Sequence, residues 1–252
     1  LYYAVCQENE EMISFLLLHQ TSIKKTYYLF DKCTFITQIK IPNEIEYIGD
    51  SFFNNCSHLK NIVIPSSVMY IGNRAFHYCS SLTDIIIPSS VVSIGNLAFE
   101  KCSELKQISI PSSLTYFGFG VFKDCDNLMK IEIRQCEGIK RIDVCENKFF
   151  IFKTNPLSDI YDTFLFAMPS SFDINIPSFI KTIGDYAFYN CQNIKEIAIP
   201  SSVTSIGDYI FYRCSLLAKI TFETPSSVTS IGDYAFFECS SLTQITIPSS
   251  VT

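Results

Sequence analysis

The feature that most constrains this chain is a repeat of 23 residues. The dipeptide Ile-Pro recurs at Ile41-Pro42, Ile64-Pro65, Ile87-Pro88, Ile110-Pro111, Ile176-Pro177, Ile199-Pro200 and Ile247-Pro248. A cysteine column runs through Cys33, Cys56, Cys79, Cys102, Cys125, Cys191, Cys214 and Cys239, and a phenylalanine column through Phe53, Phe76, Phe99, Phe122, Phe188, Phe211 and Phe236. Repeats of roughly 20 to 50 residues are typical of solenoids, in which each unit packs mainly against its neighbours. The chain is therefore predicted to be a repeat solenoid.

One unit, residues 59–79, predicts the path of a single coil. Ile62 and Ile64 alternate with Asn61 and Val63, which indicates a short strand with one buried face. Pro65 ends this strand, because proline has no N–H to donate to the next ladder bond.

A corner and a helical turn are predicted to follow the strand. Gly72 is expected to form the corner through its permissive backbone. Asn73, replaced by Asp185, Asp208 and Asp233 in later units, is expected to cap a one-turn helix. The predicted fold class is a solenoid of mostly short parallel β-strands with one-turn helical segments.

The phrases IPSSVTSIGDYIFYRCSLL and IPSSVMYIGNRAFHYCSSL resemble the BspA-like leucine-rich-repeat family of bacterial and protist surface proteins. The resemblance covers about residues 33–134 and 174–252. It implies a leucine-rich-repeat right-handed superhelix, and it implies display and adhesion at the cell surface.

Breaks in the repeat divide the chain into four predicted regions. Residues 1–32 are expected to form an N-terminal cap with a short helix over Glu10–Gln20. Residues 33–134 and residues 174–252 are regular repeats. Residues 135–173 lack the columns and are expected to form hairpin-type variant repeats with strands at 148–153 and 163–167.

The termini indicate that this sequence is a segment of a longer protein, because it begins at Leu1 and stops at Thr252 within a repeat. A last coil that nothing covers would expose strand edges and apolar rows. We therefore expect end-to-end self-association.

Charge and hydropathy exclude two classes of partner. The formal net charge of −6 lacks the basic footprint that phosphate backbones require, so no nucleic-acid partner is expected. The longest apolar run, Ile13–Leu18, is far shorter than the roughly 18 to 20 residues of a membrane span. No membrane span is predicted in this segment.

The cysteines are predicted to be structural. No CxxC pair occurs, which removes the commonest zinc pattern. Parallel side-chain directions in stacked coils disfavour disulfides, so the column cysteines are expected to be reduced and buried. Cys6, Cys136 and Cys145 lie off the column, and any reactive thiol is expected to be one of these three.

No catalytic or cofactor site is predicted. His58 and His77 flank column cysteines but fall in different columns, so both are expected to be surface residues rather than a nucleophile or metal site. Serines at Ser67, Ser90, Ser113, Ser202, Ser227 and Ser250 are expected to bond backbone groups at the inner corner. The aspartates of the capping column are explained by capping without calcium.

Two surfaces remain as candidates for recognition. The outward strand positions form one column at Gln38, Asn61, Asp84, Gln107, Lys130, Glu196, Lys219 and Gln244, and a second at Lys40, Val63, Ile86, Ser109, Glu132, Ala198, Thr221 and Thr246. They change from coil to coil, so they are the candidate interaction face, although a merely solvated sheet face stays an alternative. A tyrosine stripe around Tyr186, Tyr209 and Tyr234 is either packing between coils or a contact surface.

The predicted function is a non-enzymatic protein-interaction module that presents its repeat surface to a protein or extracellular-matrix ligand. Cell-surface adhesion or host recognition follows from the family resemblance. The alternative is an intracellular scaffold or regulator of a signalling enzyme, which free thiols favour. An enzyme would have to use the irregular segment 135–173.

Overall fold

The structure is a computed structural model that describes residues 28–134, 142–145, 149–155, 160–169 and 171–252. The predicted helix over Glu10–Gln20, together with Cys6 and Cys136, lies outside these residues. Within this described part of the chain, no helix is long and apolar enough to cross a membrane. The chain divides into two compact units, Leu1–Ile139 and Lys140–Thr252.

Both units are built from short strands. The first unit contains β1 (Gln38–Lys40), β2 (Tyr47–Ile48), β3 (Asn61–Val63), β4 (Tyr70–Ile71), β5 (Asp84–Ile86), β6 (Ser93–Ile94), β7 (Gln107–Pro111), β8 (Tyr116–Phe117) and β9 (Lys130–Arg134). The second contains β10 (Ile142–Cys145), β11 (Phe149–Phe152), β12 (Thr163–Ala167), β13 (Thr182–Ile183), β14 (Glu196–Ile199), β15 (Ser205–Ile206), β16 (Lys219–Phe222) and β17 (Ser230–Ile231).

In the first unit each coil contributes one strand to each of two sides. One side carries the pair β1-β3 and the sheet β5-β7-β9, and the other carries the sheet β2-β4-β6-β8. All of these pairings are parallel, and neighbours are offset by one repeat, as in Ile62 beside Ile39. The predicted solenoid of stacked coils is confirmed.

The second unit combines parallel and antiparallel pairing. Its larger sheet has the order β10-β11-β12-β13-β15-β17, and β14 pairs with β16. Strand β11 runs antiparallel to its two neighbours, β10 and β12, whereas β12, β13, β15 and β17 are parallel. The division of the chain at residues 32, 134 and 173 stays a prediction.

A stack of phenylalanine rings forms the centre of each unit. In the first unit, rings of Phe53, Phe76 and Phe99 follow one another at centroid distances of 5.3 and 5.1 Å. Phe30, which was not predicted to belong to the column, extends this stack at 5.3 Å from Phe53. In the second unit, Phe149 and Phe164 of the antiparallel strands, 4.8 Å apart, continue the column of Phe188 and Phe211.

The prediction of one-turn helices is wrong, because the described residues at these positions form turns. Arg74 has φ 52° and Tyr78 has φ 60°, so only three residues between them can be right-handed. Amide N–H groups in this stretch instead donate to the next coil, as Phe76 N–H does to the Ala98 carbonyl at 2.8 Å. Pairing with the next coil therefore replaces the hydrogen bonds of a helix.

The role expected for Gly72 is also wrong, because its φ is not positive. Glycine is needed where consecutive coils approach closely. A Cβ built on Gly95 would lie 2.6 Å from the Asn73 amide nitrogen and 2.6 Å from the Gly72 carbonyl carbon. Backbone atoms cannot yield as a flexible side chain can, so the spacing of coils requires glycine here.

Gly95→Ala is expected to lower the free energy of unfolding by roughly 1 to 3 kcal/mol, because the methyl group forces two coils apart. Gly184→Ala is the matched control, since its Cβ would meet the Phe164 carbonyl oxygen at 3.3 Å. Urea unfolding of both variants measures the difference. Equal destabilisation would show that coil spacing does not select glycine.

Candidate functional site

The candidate interaction face is carried mainly by the strands that precede each Ile-Pro or its equivalent. All of its residues are exposed except Ser109. Strand register places Gln38 beside Asn61, Lys40 beside Val63, Asp84 beside Gln107 and Lys130, and Ile86 beside Ser109 and Glu132. In the second unit Glu196 lies beside Lys219 and Ala198 beside Thr221.

Three members of the predicted face need correction. Ser109 is only 7% exposed, because its short side chain lies in register between the longer Ile86 and Glu132. Its hydroxyl has no hydrogen-bond partner. Gln244 and Thr246 are exposed but lie in no strand, since no ladder pairing joins their segment to β16.

The strand face of the first unit contains an exposed apolar pair. Val63 is 76% exposed and Ile86 is 60% exposed, at equivalent positions of successive coils. Beneath them, Ile62 and Ile85 are buried in the core. Val63 and Ile86 therefore project into solvent, and the buried neighbours Ile62 and Ile85 fix the backbone that carries them.

Charges on the strand faces form only weak pairs. Lys130 lies 3.8 Å from Glu132 on the same strand, and Lys219 lies 3.8 Å from Glu196 of the preceding coil. All four side chains are more than half exposed, so solvent screens both pairs. These charges remain available to a partner.

The cysteine column is buried and consists of free thiols, as predicted. Six of these thiols donate to the carbonyl of a phenylalanine in the preceding coil, as Cys102 Sγ does to Phe76 at 3.1 Å, whereas Cys191 Sγ donates to the Met168 carbonyl at 3.9 Å. Burial raises the pKa of the Cys214 thiol to about 12 and that of Cys239 to about 11. These cysteines are therefore protonated structural donors, and the prediction for Cys145 stays open because its side chain lies outside the description.

Two further polar columns join neighbouring coils. Asp185 Oδ1 accepts the amide N–H of Asp208 at 2.8 Å, and Asn73 Oδ1 accepts that of Asn96 at 2.8 Å. The residues expected to cap helices thus bond the next coil instead. The predicted serine-to-backbone bond forms to the preceding coil at Ser67, Ser90 and Ser202, as Ser90 Oγ donates to the Val68 carbonyl at 2.7 Å. The prediction is wrong for Ser250, whose hydroxyl has no hydrogen-bond partner.

A polar chain that was not predicted from the sequence crosses five coils of the first unit. Asn54 Nδ2 donates to Asp31 at 2.7 Å, and Asn54 Oδ1 lies 2.6 Å from His77 Nδ1. His77 Nε2 lies 3.3 Å from Glu100 Oε2, and Lys123 Nζ lies 2.6 Å from Glu100 Oε1. Each member directly follows a phenylalanine of the stack, a spacing of 23 residues that could have revealed the chain.

His77 is therefore not the surface residue that was predicted. Burial lowers the pKa of His77, and the nearby Glu100 carboxylate opposes that shift. Glu100 is only 5% exposed and is already paired with Lys123, so substrate has no access to the carboxylate. The arrangement can fix the stacking of coils but leaves no open position for a reacting group. His58 is exposed and lies beside Ser57.

The tyrosine stripe of the second unit packs between coils and also reaches solvent. Tyr186 stacks on Tyr209 at 5.0 Å, and Tyr209 stacks on Tyr234 at 5.0 Å. Tyr234 is nevertheless 58% exposed. The stripe therefore combines the packing and contact interpretations.

The chemistry of the described residues is that of a binding scaffold. Among them, no group of three or more histidine, cysteine, aspartate or glutamate side chains is placed to hold a metal ion. Coils that stack in parallel with exposed, variable strand faces define a leucine-rich-repeat solenoid, a type of protein-interaction module.

Comparison with known families gives the same result at a finer level. Residues 21–150 and 159–252 match the BspA type leucine rich repeat region, in six copies. The chain belongs to this family. A search of curated proteins found no match.

Several solved structures share the fold. The pneumococcal vaccine antigen PcpA has a TM-score of 0.62 at 21% identity, and the match covers 89% of this chain and 60% of that chain. A leucine rich cell surface protein from Faecalibacterium prausnitzii has a TM-score of 0.58 at 24% identity, covering 90% and 72%. A leucine-rich repeat protein from Eubacterium ventriosum has a TM-score of 0.54 at 22% identity, covering 86% and 80%. At these identities the similarity establishes the fold alone.

Proposed function

We propose that this chain is a non-enzymatic interaction module whose first unit binds a protein ligand through its strand face. The observation that carries the proposal is the exposed apolar pair of Val63 and Ile86. Apolar side chains held in solvent, with polar residues around them, are typical of the centre of an interface.

The surroundings of this pair supply the polar rim of such an interface. Lys40 lies in register with Val63, and Asp84 begins the strand that carries Ile86. Gln107 and Glu132 follow in the next coils. Cations and anions both occur, so the favoured partner has a mixed-charge surface around an apolar centre.

Display at the cell surface, with adhesion to a host or matrix protein, is the finer form of this proposal. Support comes from the fold neighbours, one of which is described as a cell surface protein and another as a vaccine antigen. The intracellular alternative draws on the free thiols. Those thiols are buried and bonded to backbone, so their reduced state is compatible with either location.

The absence of catalysis belongs to the same proposal. In the described first unit, the buried carboxylate of Glu100 is closed by its own partners, His77 and Lys123. The family is of a kind that usually binds rather than catalyses.

The test uses surface plasmon resonance against purified collagen, laminin and fibronectin as probes. The double variant Val63→Ser/Ile86→Ser is expected to weaken the strongest interaction by about tenfold or more, because it removes the apolar centre. Both positions are exposed, so the thermal midpoint should stay close to that of the parent chain.

Met69→Ser is the matched control. Met69 is an exposed apolar residue of the same unit that lies off the strand face. Its substitution is expected to leave binding unchanged. Binding that both variants retain would move the interface away from this face, and binding to none of the three probes would contradict the matrix-protein form of the proposal.

A further inference from the structure

An open groove of about 390 Å³ lies along the second sheet of the first unit, β2-β4-β6-β8. It is on the side of the coils that does not carry the candidate interaction face. Tyrosines from three of the four strands line it, together with the backbone of Gly72 and Gly95. The groove is therefore a concave site with aromatic walls.

The aromatic column in this groove is interrupted at one coil. Strand register places Tyr47, Tyr70, Ser93 and Tyr116 at one equivalent position of successive coils. Tyr47 and Tyr70 stack face to face, with centroids 4.3 Å apart and planes 13° apart. Ser93 provides only a hydroxymethyl group where a third ring would continue the stack.

The interruption has the dimensions of one ring. Neighbouring strands lie about 4.8 Å apart, so Tyr70 and Tyr116 are attached about 10 Å apart along the stack. A ring placed halfway, over Ser93, would lie about 5 Å from each attachment plane, which is a normal stacking distance for rings. The site can accept one flat ring with two faces to cover.

One polar side chain of the same coil lies beside this position. Asn96 Oδ1 accepts the Phe119 amide at 3.1 Å and the Tyr116 hydroxyl at 2.9 Å, which fixes the side chain. Within the described chain, Asn96 Nδ2 has no hydrogen-bond partner. One donor is thus held at the groove without a partner.

We propose that this groove binds a neutral pyranose sugar that stacks in the gap over Ser93. A pyranose has apolar C–H faces for the tyrosine rings and hydroxyls at its edge for the Asn96 amide. An aromatic side chain of a peptide would fill the gap, but its apolar edge would cover Asn96 Nδ2 without accepting a hydrogen bond from it, at a cost. The lining residues include an acid and no base, so an anionic sugar is disfavoured.

Ser93→Tyr is the direct test, because the new ring would complete the column and occupy the gap. The probes are the methyl pyranosides of glucose, galactose and mannose, and N-acetylglucosamine, measured by saturation-transfer NMR at millimolar concentration. The parent chain is expected to transfer saturation to at least one of them, and Ser93→Tyr is expected to abolish the transfer.

Ser205→Tyr is the matched control. Ser205 occupies the equivalent coil position in the second unit, where its strand neighbours are Thr182 and Ser230 instead of tyrosines. Transfer should persist in this variant. Tyr116→Ala is a second test for the case in which Ser93→Tyr does not fold. Tyr116 is 48% exposed, so this variant is expected to fold and to weaken binding about tenfold.

Three results would overturn the proposal. One is no transfer to any of the four sugars, and another is transfer that survives Ser93→Tyr in a folded protein. The third is binding of N-acetylphenylalanine amide at the same groove while the sugars stay inert, which would assign the gap to a peptide.

Discussion

Phe99→Ala is expected to lower the free energy of unfolding by roughly 3 to 5 kcal/mol. Phe99 is fully buried, and its ring stacks on Phe76 at 5.1 Å with planes 1° apart and on Phe122 at 6.0 Å. Removing it leaves a cavity between two coil interfaces at once, and neighbouring coils cannot close on it because their backbones are paired. Urea unfolding followed by circular dichroism measures the loss.

Phe172→Ala is the matched control, because Phe172 is 72% exposed. Its effect should stay within about 0.5 kcal/mol. Ser109→Ala is also expected to be nearly neutral, since it removes a buried hydroxyl that has no partner. Similar losses for Phe99→Ala and Phe172→Ala would mean that the ring stack is not the centre of stability.

Glu100→Ala is expected to destabilise the first unit by roughly 2 to 3 kcal/mol. The carboxylate is buried and pairs with Lys123 Nζ at 2.6 Å and with His77 Nε2 at 3.3 Å. Its loss removes both of these contacts from side chains that are only 21% and 17% exposed. The same urea unfolding experiment measures the change.

Glu104→Ala in the same coil is the control, because Glu104 is exposed. It should change stability by less than about 0.5 kcal/mol. Glu100→Gln keeps the shape of the side chain and is expected to lose only part of the stability. If Glu100→Ala lowered the free energy of unfolding no more than Glu104→Ala does, the polar chain would make no contribution to stability beyond that of the phenylalanine stack.

The interior of this protein could be predicted because it repeats. The Ile-Pro, cysteine and phenylalanine columns each show one buried position in every coil, and period alone locates them. The resemblance to the family added the order of strand and turn. Phe30 was available by the same rule, since it stands three residues before Cys33.

Contacts between coils could not be predicted, because they depend on distances between residues of neighbouring coils. The sequence of a single repeat does not give these distances. Gly95 resembles a corner glycine in sequence, but glycine is required there because the backbone of the preceding coil lies too close for a Cβ atom. Asp185 resembles a helix cap and instead bonds Asp208. Ser109 alternates as an outward residue, yet its longer neighbours cover it. The exposed candidate residues follow from alternation, whereas their use as a site stays a prediction.

Among the described residues, the hydrogen bonds that serine and cysteine side chains make between coils all run in one direction, which affects how such a chain can change its length. The serine and cysteine side chains of one coil donate to carbonyls of the coil before it, as Ser90 and Cys102 do. Every interior coil thus presents the same acceptors to its successor. Even where two extra residues lengthen a coil, Cys239 still reaches the Phe211 carbonyl at 3.0 Å. Gene duplication or deletion in steps of one repeat would therefore rejoin matching faces, so the length of the molecule can evolve without redesign of its interior.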